Sequence, residues 1–319
     1  MLWQKFLCLV FNTIIGVHME NKNNTINSAT GLLAGYGVYK LTPIVCNKIR
    51  RATISKFLDT PLSAEQIAVY KQAGQDLFES KFKSKGYSIL DLANAEQRSV
   101  VEESMKSVEQ YYDQRIASSK NFISKLYNKH RKKVVMKENL VKHNQVLDGL
   151  NAYYWVKKGA VVINMDKKPV YLFHEFGHAI DYSINGVKQS MSSIWRNPTL
   201  KKLLFGSVLL TSLLTNPKSK EDLEKANNRE KFIQSVKKNG GLIVGAFLLP
   251  STIEECLANI NGQKLAKEFV PKVHMPRVSK AHINSAIGYI LSPIFVGGGM
   301  YLANKVRDKI SQNGLNGLT

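Results

Sequence analysis

Apolar residues concentrate in five stretches of the chain, and lysine-rich polar sequence separates them. These stretches are residues 1–19, 26–46, 203–215, 240–250 and 283–304. The last has no charged residue and is long enough to cross a bilayer, which takes about 20 residues. Residues 1–19 suit an uncleaved anchor or an interfacial helix, because no small-residue cleavage site follows them.

The two shorter apolar stretches, 203–215 and 240–250, lie on either side of a charged segment. Basic residues stand at their outer ends, as is typical of helices that end in membrane interfaces. We predict a membrane hairpin, with a re-entrant pair or two buried core helices as the alternatives, since each stretch is short for a full crossing.

Two of the apolar segments resemble each other. Residues 26–50 and 283–307 align without a gap, with INSATG matching INSAIG and NKIR matching NKVR. Small residues let helices approach closely, so the pattern predicts two paired helices. Chance similarity between apolar helices of low complexity is the alternative.

Residues 60–150 have the pattern of soluble helices. Ser63 and Gln66 stand in the relation of a capping box, which predicts the start of a helix. Gly86 ends that helix, and a polar helical stretch follows from about residue 91 to 127. The basic run 128–133 (NKHRKK) then suits a solvated or headgroup-facing patch.

Residues 152–164 change character. The runs AYYWV and AVVIN are rich in β-formers and are separated by Lys157-Lys158-Gly159, which predicts a β-hairpin. A strand at the edge of a sheet can bind an extended polypeptide by adding it as a further strand. An ordinary hairpin that covers the core is the alternative.

The motif His174-Glu175-Phe176-Gly177-His178 follows the hairpin. Pro169 before it and Asn185-Gly186 after it are start and stop signals for a helix. On a helix the two histidines project from one face, one turn apart, and can share a metal ion, while Glu175 can reach a water bound to that ion. A core helix with two buried histidines is the alternative; the motif favours zinc.

A hydrolytic zinc site takes three protein ligands and leaves a fourth position for water. Glu255 heads an E-x-x-A-N run on a predicted helix that begins where Pro250 ends the apolar stretch, and we predict it as the third ligand. Glu254 is the alternative. Asn259, one turn after Glu255, is placed to hydrogen-bond a histidine ligand, and Asp181 either orients a histidine or caps its helix.

The remaining histidines have no metal spacing. His274 and His282 follow Glu255 and could steady an oxyanion, although a lone histidine is more often structural. His18, His130 and His143 stand alone.

Composition limits the classes of partner. The formal charge is +21, but basic motifs interleaved with aromatic residues and zinc-finger spacings are both absent from the sequence, so we expect no nucleic acid. Lysine and arginine instead border the apolar stretches, which favours a membrane protein with its active site on the cytoplasmic side. The three isolated cysteines form no disulfide framework, and they favour a reducing or membrane environment.

HExxH, an apolar hairpin and then a helix with a glutamate resemble the membrane-embedded gluzincins, the HtpX-like heat-shock and CAAX-prenyl endopeptidases. Asn151-Ala152-Tyr153, followed by residues 159–164, is similar to the Asn-Ala-aromatic strand before their catalytic helix. The likeness covers about residues 151–260. It departs from the family at Asn259, where the E-x-x-x-D pattern has Asp, and HEFGHAID is closer to soluble gluzincins. The resemblance implies a zincin-like core and cleavage of polypeptides.

We therefore expect a mainly α protein with a small β-hairpin or sheet (α+β), built as a zincin-like catalytic core with flanking membrane-associated helices. The expected regions are 1–50, 51–150, 151–275 with an apolar hairpin in 203–250, and 276–319. The expected activity is membrane-associated, zinc-dependent (Zn²⁺) endopeptidase activity, with Glu175 as general base and with polypeptide substrate and membrane lipid as partners. The alternative is a non-enzymatic basic membrane protein with a degenerate site.

Overall fold

The computed structural model describes residues 62–184, 198–215 and 218–313, together with Leu33, Tyr36 and Gly37. The predicted helix 1–19 and nearly all of the predicted segment 26–46 lie outside the described residues. The same holds for the first copy of the predicted repeat, so the pairing of the two copies stays a prediction.

The described residues are mainly helical with a small sheet, as predicted. The helices are α1 (Ala64–Leu77), α2 (Ala95–Ala117), α3 (Phe122–Leu147), α4 (Tyr171–Ile184), α5 (Pro198–Leu214), α6 (Lys220–Lys225), α7 (Asn228–Phe269) and α8 (Met275–Asn313). The strands are β1 (Ser88–Asp91), β2 (Tyr153–Trp155) and β3 (Ala160–Ile163).

The described residues divide into two compact units. The sheet unit contains residues 62–184 and 255–285, and the helical unit contains residues 198–215, 218–254 and 286–313. The boundaries fall inside α7 and α8, so each of these helices contributes to both units. This division differs from the four consecutive regions expected above, because β1 pairs with β3 across the expected boundary at residue 150.

The predicted hairpin is present and has a third strand beside it. β3 is the central strand, with β2 antiparallel on one side and β1 parallel on the other. A short 3₁₀ turn and Gly159, whose φ of 58° lies in the left-handed region that favours glycine, connect β2 to β3. β1 was missed, because four residues show no clear period and gain their stability only from a strand far along the chain.

The sheet is covered on both faces. All four residues of β3 are buried. Val161 and Ile163 face the main core, whereas Val162 faces a second cluster with Leu92 and Val101. This alternation is the period of two that a strand imposes. The sheet is thus the middle layer of the sheet unit, between the α2–α3 pair and the helices of the main core.

The main core surrounds α4. Its buried members include Tyr70 and Leu77 from α1, Phe173 and Phe176 from α4, and Leu265 from α7. The capping box that starts α1 is confirmed. A single π-helical turn, Phe78–Phe82, continues α1 and brings the ring of Phe82 to a centroid distance of 4.2 Å from the ring of Phe176. This packing holds the helix that carries the HExxH motif.

The polar region before the hairpin forms two helices rather than the one stretch predicted for residues 91–127. The side chain of Asn94 caps α2, and that of Asn121 caps α3. These asparagine caps satisfy backbone N–H groups that a continuous helix would have paired internally. The basic run 128–133 consequently lies within α3.

The helix that carries Glu255 does not begin after Pro250, contrary to the prediction. α7 runs without interruption for 42 residues and includes Pro250 in its interior. A proline inside a helix costs about 3 kcal/mol because it removes a backbone hydrogen bond, and α7 nevertheless continues through Pro250. The predicted stretch 240–250 and the glutamate helix are therefore one element.

Within the helical unit, α7 and α8 approach each other at glycines. A Cβ placed on Gly241 would lie 2.4 Å from the carbonyl oxygen of Gly297. The Nζ of Lys237, which is buried, lies 2.6 Å from Oδ1 of Asp308, and Arg307 donates to the same oxygen at 2.8 Å. Small residues and a buried ion pair thus join the two helices.

Two helices, α7 and residues 275–310 of α8, are long and apolar enough to cross a membrane. Only 11% of the apolar 18-residue segment of α7 is buried within the protein, and 28% of the corresponding segment of α8. A core helix of a soluble protein would be mostly buried, so these exposed apolar surfaces suggest membrane association. The apolar part of α5, Leu203–Leu214, is shorter than a crossing requires.

Candidate metal centre

The HExxH motif lies on α4, as the sequence predicts. The turn before the helix includes a hydrogen bond from the backbone N–H of Leu172 to the carbonyl of Pro169, at 3.0 Å. His174 and His178 stand one turn apart on the same face, with ring centroids 4.8 Å apart and planes at 82°. The two imidazoles therefore face a common space.

α7 brings a carboxylate to this space. Oε2 of Glu255 lies 3.3 Å from Nε2 of His174 and 3.3 Å from Nε2 of His178. One ligand atom from each residue lies within 4.8 Å of the others. Glu254, the alternative considered from the sequence, does not belong to this group.

The two distances from Glu255 are compatible with ligands of one metal ion such as zinc. Two ligand atoms at about 2.05 Å from zinc, at the tetrahedral angle, lie roughly 3.3 Å apart. The same separation is long for an N–H···O hydrogen bond, and Oε2 of Glu255 is buried without a hydrogen bond from the described residues. Two imidazole nitrogens and one carboxylate oxygen are also the donors of many hydrolytic zinc sites.

Burial and charge act in opposite directions on this group. The Glu255 carboxylate lies 3.3 Å from an imidazole nitrogen of each histidine, and a hydrogen bond or positive charge there favours its ionised form. Burial alone would lower the pKa of His174, and the carboxylates of Glu255 and Glu175 outweigh it and raise that pKa. A carboxylate that stays ionised is what a metal ligand requires.

Asn259 links two of the candidate ligands. Its Oδ1 lies 3.1 Å from Nδ1 of His174, and its Nδ2 donates to the backbone carbonyl of Glu255 at 2.9 Å. With a proton on Nδ1, His174 donates to Asn259 and presents the lone pair of Nε2 toward Glu255. This is the arrangement predicted for Asn259.

His178 has no such support within the described residues. Its Nδ1 is buried and makes no hydrogen bond to any described group. The side chain of Asp181, predicted to orient a histidine or cap the helix, lies outside the described part of the chain, so its role stays a prediction.

Two glycines let the helices cross at backbone contact. A Cβ on Gly177, inside the HExxH motif, would lie 2.1 Å from the carbonyl oxygen of Ala258, and one on Gly262 would lie 2.5 Å from that of Phe173. The role of these glycines was not predicted from the sequence. The signal available in the sequence was a glycine on each of two helices that carry predicted ligands.

Two further residues lie close to the group. Glu175 is buried beside His174 in the chain. His282, on α8, is buried, with Nδ1 3.0 Å from the carbonyl oxygen of Asn259 and its ring 6.2 Å from that of His174. The contact with Asn259 braces α8 against the helix that carries Glu255.

His274, the other predicted oxyanion candidate, has contacts of a structural kind. Its ring packs edge-on against Tyr70 at 5.9 Å, and its backbone carbonyl accepts a hydrogen bond from the Tyr70 hydroxyl at 3.1 Å. This contact anchors the start of α8 on α1.

Comparison with known proteins adds no relative: neither a protein-family model nor a curated protein nor a solved structure matches this chain. The site is therefore defined by its own geometry. It is a cluster of two histidines and one glutamate, contributed by a helix with the HExxH motif and by a second helix that crosses it.

Proposed function

We propose that this protein is a membrane-associated, zinc-dependent endopeptidase of the gluzincin type. The observation that carries the proposal is the position of the Glu255 carboxylate, 3.3 Å from Nε2 of both motif histidines. Glu175 follows the first histidine directly, as a general base in an HExxH site must. The resemblance to the HtpX-like and CAAX-prenyl endopeptidases points to the same class.

In this proposal His174, His178 and Glu255 would hold the zinc ion. Bound zinc polarises a substrate carbonyl and lowers the pKa of water toward neutrality. Glu175 accepts the proton of the attacking water and delivers it to the leaving amine. Its buried position keeps competing solvent away from that carboxylate.

The sheet supports a polypeptide as the substrate. β3 has neighbours on both sides, whereas the outer edge of β2 pairs with none of the described strands. β2 also contacts α4, the helix with the motif. An extended peptide can add to such an edge through backbone hydrogen bonds, which require no particular side chains.

The membrane part of the proposal is supported by the exposed apolar surfaces of α7 and α8. Lipid is then a partner of these helices. The excess of lysine and arginine beside the apolar stretches favours a cytoplasmic active site. Carbonate extraction of membranes tests integration, because a protein that carbonate releases does not cross the bilayer.

The decisive test compares the purified full chain with its Glu175→Gln variant on an unfolded polypeptide. We expect one zinc per chain in both proteins, measured by elemental analysis, and cleavage by the unaltered chain alone. Equal cleavage by both would contradict the role of Glu175. Zinc without cleavage in either, or no zinc in the folded chain, would favour the non-enzymatic membrane protein.

A further inference from the structure

The N-terminal end of α3 exposes four large apolar side chains. They belong to the first two turns of α3, namely Phe122, Ile123, Leu126 and Tyr127, and are 78%, 79%, 57% and 55% exposed. Each of these side chains is in contact with water and would be removed from it by entering an apolar environment such as a lipid layer. We call these four residues the apolar tip.

The apolar tip points away from the helix that packs on α3. At 100° per residue, its members span about 140° of the helix circumference. Asn128 and Lys132 lie on the opposite side, where they contact α2 and its end. Asn128 donates to Ser119 Oγ at 3.0 Å, and Lys132 lies 2.8 Å from the Asp113 carboxylate. The apolar tip therefore lies on the side of α3 that faces away from α2, and the contacts between the two helices leave it exposed.

All the charged residues around the apolar tip are basic. Residues 114–137 contain no aspartate or glutamate. They contain eight basic residues: Arg115, Lys120, Lys125, Lys129, Arg131, Lys132, Lys133 and Lys137. Lys120, Lys125 and Lys129 are exposed and border the apolar tip directly. An apolar surface ringed by lysine matches an acyl layer beneath anionic headgroups, with the lysine stems along the apolar part and the ammonium groups at the phosphates.

We propose that the apolar tip docks the sheet unit onto an anionic lipid membrane. Its aromatic and aliphatic side chains enter the boundary between headgroups and acyl chains, and the surrounding lysines bind lipid phosphates. α3 has 26 residues and is therefore about 39 Å long. The apolar tip lies at its N-terminal end, and β2 follows its C-terminal end. The inference stands on exposure and charge, and it does not depend on the zinc proposal.

The experiment places a reporter at the tip of the full chain. The Tyr127→Trp variant and the unaltered chain are reconstituted into vesicles whose lipids carry brominated acyl chains, which quench tryptophan on contact. One set of vesicles is phosphatidylcholine alone and the other contains phosphatidylglycerol. We expect the fluorescence of the added tryptophan, taken by difference, to be quenched in the anionic vesicles and much less in the neutral ones.

Two variants of the reporter chain separate the apolar and charged contributions. Phe122→Ser with Ile123→Ser should lower the ratio of docked to undocked protein by about a hundredfold, since each buried apolar side chain is worth a factor of about ten. Lys120→Gln, Lys125→Gln and Lys129→Gln together should lower it by a similar factor. The exposed lysines 106, 142 and 272, changed to Gln together, remove equal charge and should have no effect.

Circular dichroism should stay unchanged in all of these variants, because every altered side chain is exposed. Absence of quenching in the anionic vesicles would overturn the proposal. Equal losses from both lysine triples would also overturn it, because the effect would then be one of net charge. A change in the fluorescence of the added tryptophan that depends on protein concentration and not on lipid charge would overturn the proposal. It would indicate that the apolar tip contacts a second copy of the chain.

Discussion

The two nitrogens of His174 have different partners, and the difference sets its chemistry. Nδ1 faces the Asn259 amide oxygen at 3.1 Å, and Nε2 faces Glu255 at 3.3 Å. A hydrogen bond at Nδ1 fixes the ring orientation and makes Nε2 a better donor to a metal. Asn259 therefore acts on a candidate ligand without being one.

We expect Asn259→Ala to weaken zinc binding by roughly 10- to 100-fold, the usual cost of losing a hydrogen bond behind a metal ligand. Asn259→Asp should retain zinc, because a carboxylate accepts the same hydrogen bond from Nδ1. Competition with a fluorescent zinc chelator measures both affinities. Equal weakening by the two variants would show that Asn259 acts through packing alone.

The neighbouring glutamates of α7 offer a matched pair of variants. Glu255→Gln removes a candidate ligand charge, and we expect a loss of zinc affinity larger than that of Asn259→Ala. Glu254→Gln should leave the affinity within about twofold, since its carboxylate lies outside the cluster. The same chelator competition compares the two, and a larger effect at residue 254 would reverse the assignment.

At the scale of elements, the crossing of α4 and α7 determines whether the ligands meet. Glu255 is distant in sequence from the histidines, and only backbone contact at Gly177 and Gly262 brings its helix close enough. Without a Cβ the helices approach more closely than other residues allow. These glycines therefore position the site although they carry no chemistry.

Gly177→Ala tests this crossing. The added Cβ would lie 2.1 Å from the Ala258 carbonyl oxygen, so we expect the helices to separate, the thermal midpoint to fall and zinc affinity to drop by about tenfold or more. Gly206→Ala is the matched control, because a Cβ there meets nothing within 4 Å. Alanine is the better helix former, so that variant should keep or raise the midpoint. Normal zinc binding by Gly177→Ala would contradict the role of the crossing.

Some of the secondary-structure elements follow from local sequence signals and others do not. The start of α1 follows from a capping box, and the β2–β3 hairpin follows from two runs of β-forming residues joined by a turn. β1 and the course of α7 through Pro250 do not, because β1 depends on pairing with β3 and because a proline is by itself a signal for the end of a helix. Signals that act within a few residues thus predict some of the elements, whereas pairing with a distant strand leaves no local signal.

At the scale of the whole molecule, the candidate ligands all belong to the sheet unit, although α7 and α8 contribute to both units. A ligand that binds only the folded site stabilises what surrounds it. We expect zinc at 100 times its dissociation constant to add about 2.7 kcal/mol to the free energy of opening that site.

Hydrogen exchange with and without a zinc chelator measures this effect. Metal removal should increase exchange in the motif helix and around residues 255–262 much more than in the α5 region of the helical unit. The Glu255→Gln variant serves as the control, because it should exchange rapidly in both conditions. Uniform loss of protection along the chain would show instead that metal holds the whole fold together.

The sequence by itself determined the chemistry available to this protein. The spacing of His174 and His178, the adjacent Glu175, the E-x-x-A-N run and the apolar stretches are all visible in the chain, since helical periodicity and length act locally. The sequence favoured Glu255 over Glu254, and tertiary structure decided that Glu255 meets the histidines and that glycines make the crossing. It also decided that the apolar tip stays exposed. These outcomes depend on which distant surfaces pack together, and local sequence does not specify that.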